Sequence, residues 1–168
     1  MLTSAGTATS TTLRLRLHFV AAHAASVIQI METDEQAKDR QRLERYIARK
    51  ALASVMSNTK WEKLRALMIE ESDRRPVWRV RCLRDTREVE PPWDGDWYYH
   101  LPEFKHIEWL EISPIQKERK GYLLPDKVTD NTDYFVGLLK SNNIPFSIEG
   151  ESLRIWGYLR PGQAVEFL

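Results

Sequence analysis

The run Ile107-Glu108-Trp109-Leu110-Glu111-Ile112, closed by Pro114, constrains this chain most. Apolar side chains stand at both parities, so neither side of the segment suits open water. It reads as the central strand of a sheet.

The segments around it supply the rest of the sheet. From Val77 to Leu83 the chain alternates. Trp78, Val80 and Cys82 point one way and Arg79 and Arg81 the other, as in a strand with one buried face. Glu90-Pro91-Pro92 breaks the chain. Asp94-Gly95 then signals a turn, and Trp97-Tyr98-Tyr99 predicts a further strand that ends at Pro102. Gln116 to Lys127 reads as a loop. Ile144, Phe146 and Ile148 alternate, Gly150 turns the chain, and Leu153 and Ile155 alternate back, which predicts a C-terminal hairpin before a short tail at Pro161-Gly162.

Helical spacing appears three times. Thr33 with Gln36 opens a helix from Asp34 to Val55, striped by Leu43, Ile47, Ala51 and Val55. Thr59 with Glu62 caps a second, carrying Trp61, Leu64, Leu67 and Met68 to about Glu71. Asp130 caps a third, carrying Tyr134, Phe135, Leu138 and Leu139 and ending at Asn142-Asn143. The order predicts an α+β fold. Two N-terminal helices precede a mostly antiparallel sheet of about five strands, and one helix precedes the C-terminal hairpin. We divide the chain into an extension or leader (1–30), an amphipathic helical arm (31–58) and a single α+β domain (59–168).

The first thirty residues hold no Asp or Glu and are rich in Thr and Ser. An export signal, with Arg14 and Arg16 before a short apolar run, and a transit peptide both compete here. We favour an extension outside the working domain, with Met31 as the start, because His18 and His23 break the apolar run.

Several stretches together resemble an uncharacterised bacterial family, domain of unknown function 6678. They are Ser57-Asn58-Thr59-Lys60-Trp61, Trp93-Asp94-Gly95-Asp96-Trp97, the central strand from Ile107, and Arg154-Ile155-Trp156-Gly157-Tyr158. Their order along the chain carries the resemblance, which spans roughly Thr33 to Tyr158. It implies a small bacterial, cytoplasmic protein and brings no activity with it.

Charge narrows the function classes. Lys+Arg number 25 and Asp+Glu 24, a net charge of +1, which points to neither nucleic acid nor membrane. Arg74, Arg75, Arg79, Arg81, Arg84 and Arg87 form a local run. Acids interleave with it, so it reads as a solvated strand face. The single cysteine, Cys82, has no second thiol to pair with and fits a reducing, cytoplasmic setting.

His100 and His106, with Glu103, Asp94 and Asp96 nearby, are a conceivable ligand set, but their spacing matches no compact motif. We expect surface or structural histidines, no metal and no cofactor. Asp94-Gly95-Asp96 is equally an ordinary turn, and Glu108 and Glu111 alternate as edge or solvent residues do. The aromatics Trp93, Trp97, Tyr98, Tyr99, Phe104 and Trp109 fall within seventeen residues. By strand parity Trp97 and Tyr99 face one side and Tyr98 the other. Core packing is the leading account, and any exposed part rimmed by acids is a protein-interaction site.

Three function hypotheses follow. The first is a small cytoplasmic, non-enzymatic interaction module of immunity or regulatory type. It contacts an unidentified protein partner, or itself, through Trp93 to Glu111. The second is a metal- or carboxylate-dependent hydrolase using Asp94, Asp96, His100 and His106. The third is a homo-oligomeric structural protein joined through Leu43, Ile47 and Val55.

Overall fold

The computed structural model describes residues 33–121 and 125–168. The expectations placed on residues 1–30 lie outside them. The chain divides into units of residues 1–42 and 43–168.

Helix α1 spans Asp34–Lys50. Thr33 caps it, its hydroxyl accepting from the Gln36 backbone N–H at 3.3 Å. It stops five residues before the predicted end. Ala51 takes a left-handed φ of 49°, Leu52 N–H donates to the Ile47 carbonyl at 3.1 Å, and Ala51 N–H donates to Ala48 at 3.1 Å. That is a Schellman closure with alanine where glycine is usual. The freed chain forms β1 (Ala53–Ser54), which pairs with β8 (Tyr158–Leu159). The helical recurrence of Ala51 and Val55 is therefore coincidental. An alanine Cβ is crowded in the left-handed region, so Ala51→Gly stabilises the protein by about 1 kcal/mol in urea unfolding.

Helix α2 (Asn58–Glu70) is capped by Ser57, whose hydroxyl accepts from Lys60 N–H at 3.3 Å. Thr59 lies inside the helix and is not the cap. The main sheet comprises β2 (Val77–Cys82), β3 (Ile107–Ser113), β6 (Phe146–Glu149) and β7 (Ser152–Trp156) in the order β2-β3-β7-β6, with every pair antiparallel. The strand from Ile107 is central, with a neighbour on either side.

Two further segments differ from expectation. Trp97 to Tyr99 is a turn and not a strand, because Asp96 captures its backbone N–H groups. The stretch from Gln116 to Lys127 is not all loop. A two-stranded ribbon, β4 (Ile115–Glu118) with β5 (Lys127–Asp130), occupies its ends. Its residues are mostly polar and half-buried or exposed, so no apolar alternation marks it. Helix α3 (Thr132–Ser141) follows. The Asp130 carboxylate accepts from Thr132 N–H at 2.8 Å, and Asn143 is left-handed just beyond the helix end.

Registers assign side chains to faces, because directly opposed residues of an antiparallel pair share a side. Trp78, Ile112 and Leu153 form one row, and Val80, Leu110, Ile155 and Phe146 the next. This apolar face packs against Trp61, Leu64 and Met68 of α2 and Phe135 and Leu139 of α3. The opposite face carries Arg79, Glu111, Arg154 and Ser147 in one row and Arg81, Trp109 and Trp156 in the next.

Candidate functional site

That second face is also covered. Arg81 donates to the carbonyls of Arg87 at 2.6 Å and Val89 at 3.2 Å, which straps the loop after β2 across it. Glu111 is only 1% exposed. It accepts from Arg79 Nε at 2.5 Å and from Arg154 Nε at 2.7 Å, with Arg154 Nη2 a further donor. Arg79 also pairs with Glu90 and lies 4.7 Å from the Trp93 ring centroid. Arg154 sits 4.6 Å from the Trp109 ring and 5.0 Å from the Trp156 ring. Glu108 is buried too, accepting from Arg160 Nε at 2.6 Å and Nη2 at 3.0 Å.

The reading of Glu108 and Glu111 as edge or solvent residues is therefore corrected. Parity separates the faces of a strand but does not say which face is dry, and here both are. The arginines of β2 are likewise no solvated face. They are committed to carboxylates, carbonyls and an indole. Sequence patterning alone gives no role to Arg154 or Arg160. The available signal was complementary charge: Arg154 shares the out-of-core parity of its hairpin strand as Arg79 and Glu111 do in theirs.

The aromatic segment is held by its acids. Trp78 and Asp94 exchange backbone hydrogen bonds of 2.7 Å each way, anchoring the loop to the sheet edge. Asp94 Oδ1 accepts from Asp96 N–H at 2.7 Å, and Asp96 Oδ1 accepts from Tyr98 N–H at 2.8 Å and Tyr99 N–H at 3.0 Å. His100 Nδ1 lies 2.8 Å from Asp94 Oδ2, and its Nε2 lies 3.8 Å from Asp96 Oδ2. Trp97 points inward. Its Nε1–H donates to the Pro76 carbonyl at 2.8 Å and its ring meets Trp78 edge-on at 6.0 Å.

The six aromatic candidates are thus sorted. Trp97 and Trp109 are buried, and Phe104 is half-buried, stacked on Trp61 at 5.8 Å. Trp93 is 42% exposed, Tyr98 52% and Tyr99 87%. The parity reading fails for Trp97 and Tyr99, since a turn replaces the strand. The inward residue is Trp97, and both tyrosines face water.

The four catalytic candidates do not converge. Asp94, Asp96 and His100 meet in the loop staple, whereas His106 lies on the 3₁₀ turn Phe104–His106, where its carbonyl accepts from Leu83 N–H at 2.8 Å. Among the described residues no three His, Cys, Asp or Glu side chains are grouped to hold a metal. Burial raises the Cys82 thiol above its ordinary pKa, which disfavours the nucleophilic thiolate.

The staple titrates in a definite sense. The Asp94 hydrogen bond and charge raise His100 above its ordinary value near 6.5. The Asp96 N–H, then His100, lower Asp94. A raised histidine stabilises the fold fully below its unfolded pKa, and that contribution fades as pH climbs through the folded value. A lowered aspartate contributes above its unfolded pKa, and that contribution fades as pH falls through the folded one. The loop is therefore firmest in mildly acidic solution. In an NMR pH titration His100 titrates above a free histidine, and Asp94→Asn returns it towards the ordinary value.

A family model described as a family of unknown function, DUF6678, matches residues 43–162. The chain belongs to this family. The DUF6678 match begins at Leu43, where the second compact unit also begins, and takes in the aromatic loop and the whole arginine–glutamate face. No curated protein and no solved structure matches the chain. Among the described residues of this DUF6678 protein, no helix is long and apolar enough to cross a membrane.

Proposed function

We propose that this protein is a small, non-enzymatic protein-interaction module of the bacterial cytoplasm, of immunity or regulatory type. Its contact is the Tyr98–Tyr99 tip. The observation that carries the reading is two adjacent tyrosines, both exposed, on a turn whose backbone is fixed by Asp96 and whose base is pinned by Trp97. Tyrosine gives large contact area with few rotatable bonds, and a rigid backbone lowers the ordering cost of binding. Neither tyrosine belongs to the protein's buried core. The lone Cys82, with no second thiol to pair with, supports a reducing compartment.

The test is affinity capture from native-host lysate, followed by calorimetry with the captured protein. Tyr98→Ala/Tyr99→Ala is expected to weaken binding by at least about 30-fold, the loss of a hot-spot pair, at an unchanged unfolding midpoint. A stoichiometric partner that binds the double variant as tightly as wild type sinks the reading. Self-association through the arm is less well supported, because Leu43 is already buried within the chain.

A further inference from the structure

At the end of the sheet, between the Trp93 loop and the β4–β5 ribbon, lies an open groove of about 750 Å³. That is within the size range of small-ligand sites. Trp93 and Val77, 42% and 40% exposed, and the half-buried Ile115 are its apolar surface. The other five tryptophans are all buried. Trp93 is also preorganised: Arg79 covers its ring, and Glu111 and Glu90 hold Arg79 in turn. A rigid, half-exposed indole in a groove is a platform for a flat, weakly polar surface.

The groove walls define what else the ligand must be. Arg75, Lys117 and Lys127 contribute three cations, and Asp73, Glu118 and Glu151 three carboxylates. The walls carry no net charge, so they offer no field to gather a phosphate or a polyanion. Among the described residues, the Thr129 hydroxyl, the Lys117 ammonium and the Glu151 carboxylate have no side-chain hydrogen bond within the chain. Donors and acceptors are thus spread around an aromatic platform. The adjacent edge of β2 is closed at Trp78 by the Asp94 bridge, so an added peptide strand has no backbone to pair with there.

We propose that this groove is a binding site for a neutral saccharide, with the C–H face of a pyranose ring on Trp93 and its hydroxyls bonded to Thr129 and Glu151. A pyranose joins an apolar face to a rim of hydroxyls, which matches the platform and its surround. This site is separate from the Tyr98–Tyr99 contact and does not depend on it.

Saturation-transfer NMR and calorimetry on the full chain test it with three probes: cellotetraose, maltotetraose and chitotetraose. At least one is expected to bind saturably with Kd at or below about 10 mM, with transfer strongest at ring C–H protons. Trp93→Ala weakens that binding at least about tenfold, and Glu151→Gln and Thr129→Ala weaken it by smaller factors. Trp93→Phe keeps a ring over Arg79 and serves if the alanine variant unfolds; it retains part of the binding. Tyr98→Ala/Tyr99→Ala leaves saccharide binding unchanged. The proposal is overturned if none of the three probes binds at about 10 mM, or if the Trp93 variants bind as wild type does. It is equally overturned if adenosine monophosphate, offered as a charged stacking control, binds through Trp93 in preference to all three.

Discussion

Glu111→Ala is expected to lower the unfolding free energy by about 3–5 kcal/mol, one of the two largest losses any single substitution here should give. The reason is asymmetry. Among the described residues, Glu111 is the only carboxylate hydrogen-bonded to both Arg79 and Arg154, whose side chains are 15% and 21% exposed. Removing it leaves two guanidinium groups side by side in a largely dry layer, each wanting an acceptor and repelling the other. Glu90 still reaches Arg79, and Glu149 lies 3.8 Å from Arg154, so part of the loss is recovered. Urea unfolding followed by tryptophan fluorescence checks the figure. The triple variant Arg79→Met/Glu111→Leu/Arg154→Met, which removes all three charges together, is expected to recover most of the loss, because no orphaned charge remains. A triple variant as unstable as Glu111→Ala would show that shape, and not charge, sets the requirement at this row.

Gly157→Ala should cost at least about 3 kcal/mol, or prevent folding outright. A Cβ at this position would stand 2.1 Å from the Ile107 carbonyl oxygen and 3.3 Å from the Trp61 ring. The first obstacle is backbone of the central strand and cannot swing aside. Gly157 N–H also donates to Glu108 O, and its carbonyl accepts from Val55 N–H, both at 2.9 Å. Relaxing the clash therefore breaks the junction that joins β1 and β8 to the main sheet. Circular dichroism with denaturant unfolding is the measurement. A stable Gly157→Ala protein would mean that β3 and the segment after β7 do not approach this closely in solution.

The parts of this fold that could be read from sequence were those where one periodicity dominates. Leu153 and Ile155 against Arg154, and Trp78 and Val80 against Arg79 and Arg81, each mark a strand with two unlike faces. Asn143 and Gly150 sit where left-handed backbone is required. Reading failed where a side chain overrode propensity. Three aromatic residues in a row favour a strand, yet one carboxylate, Asp96, takes two N–H groups that a strand would need and makes a turn instead. The β4–β5 ribbon escaped because its side chains are too polar to show an alternation.

The candidate surface was legible in part. The segment from Trp93 to Tyr99 was visible as an aromatic cluster, but which rings face water depends on Pro76, whose carbonyl draws Trp97 inward from 21 residues away. The arginine–glutamate face was visible only as scattered charges. Pairing Glu111 with Arg154 requires knowing that β3 and β7 are neighbours, and no local pattern contains that information.

The row running through Arg79, Glu111 and Arg154 also acts on folding fidelity. Strand alternation alone tolerates a shift of two residues, since apolar side chains still fall on the helix side. Such a shift would bring Glu111 opposite Val77 or Arg81 in place of Arg79, and opposite Ser152 or Trp156 in place of Arg154. A slip of one residue would turn the carboxylate into the layer filled by Leu64, Phe135 and Leu139. One ionised group, seated where it is answered from both sides, thus rejects mispaired sheets that hydrophobic patterning would admit.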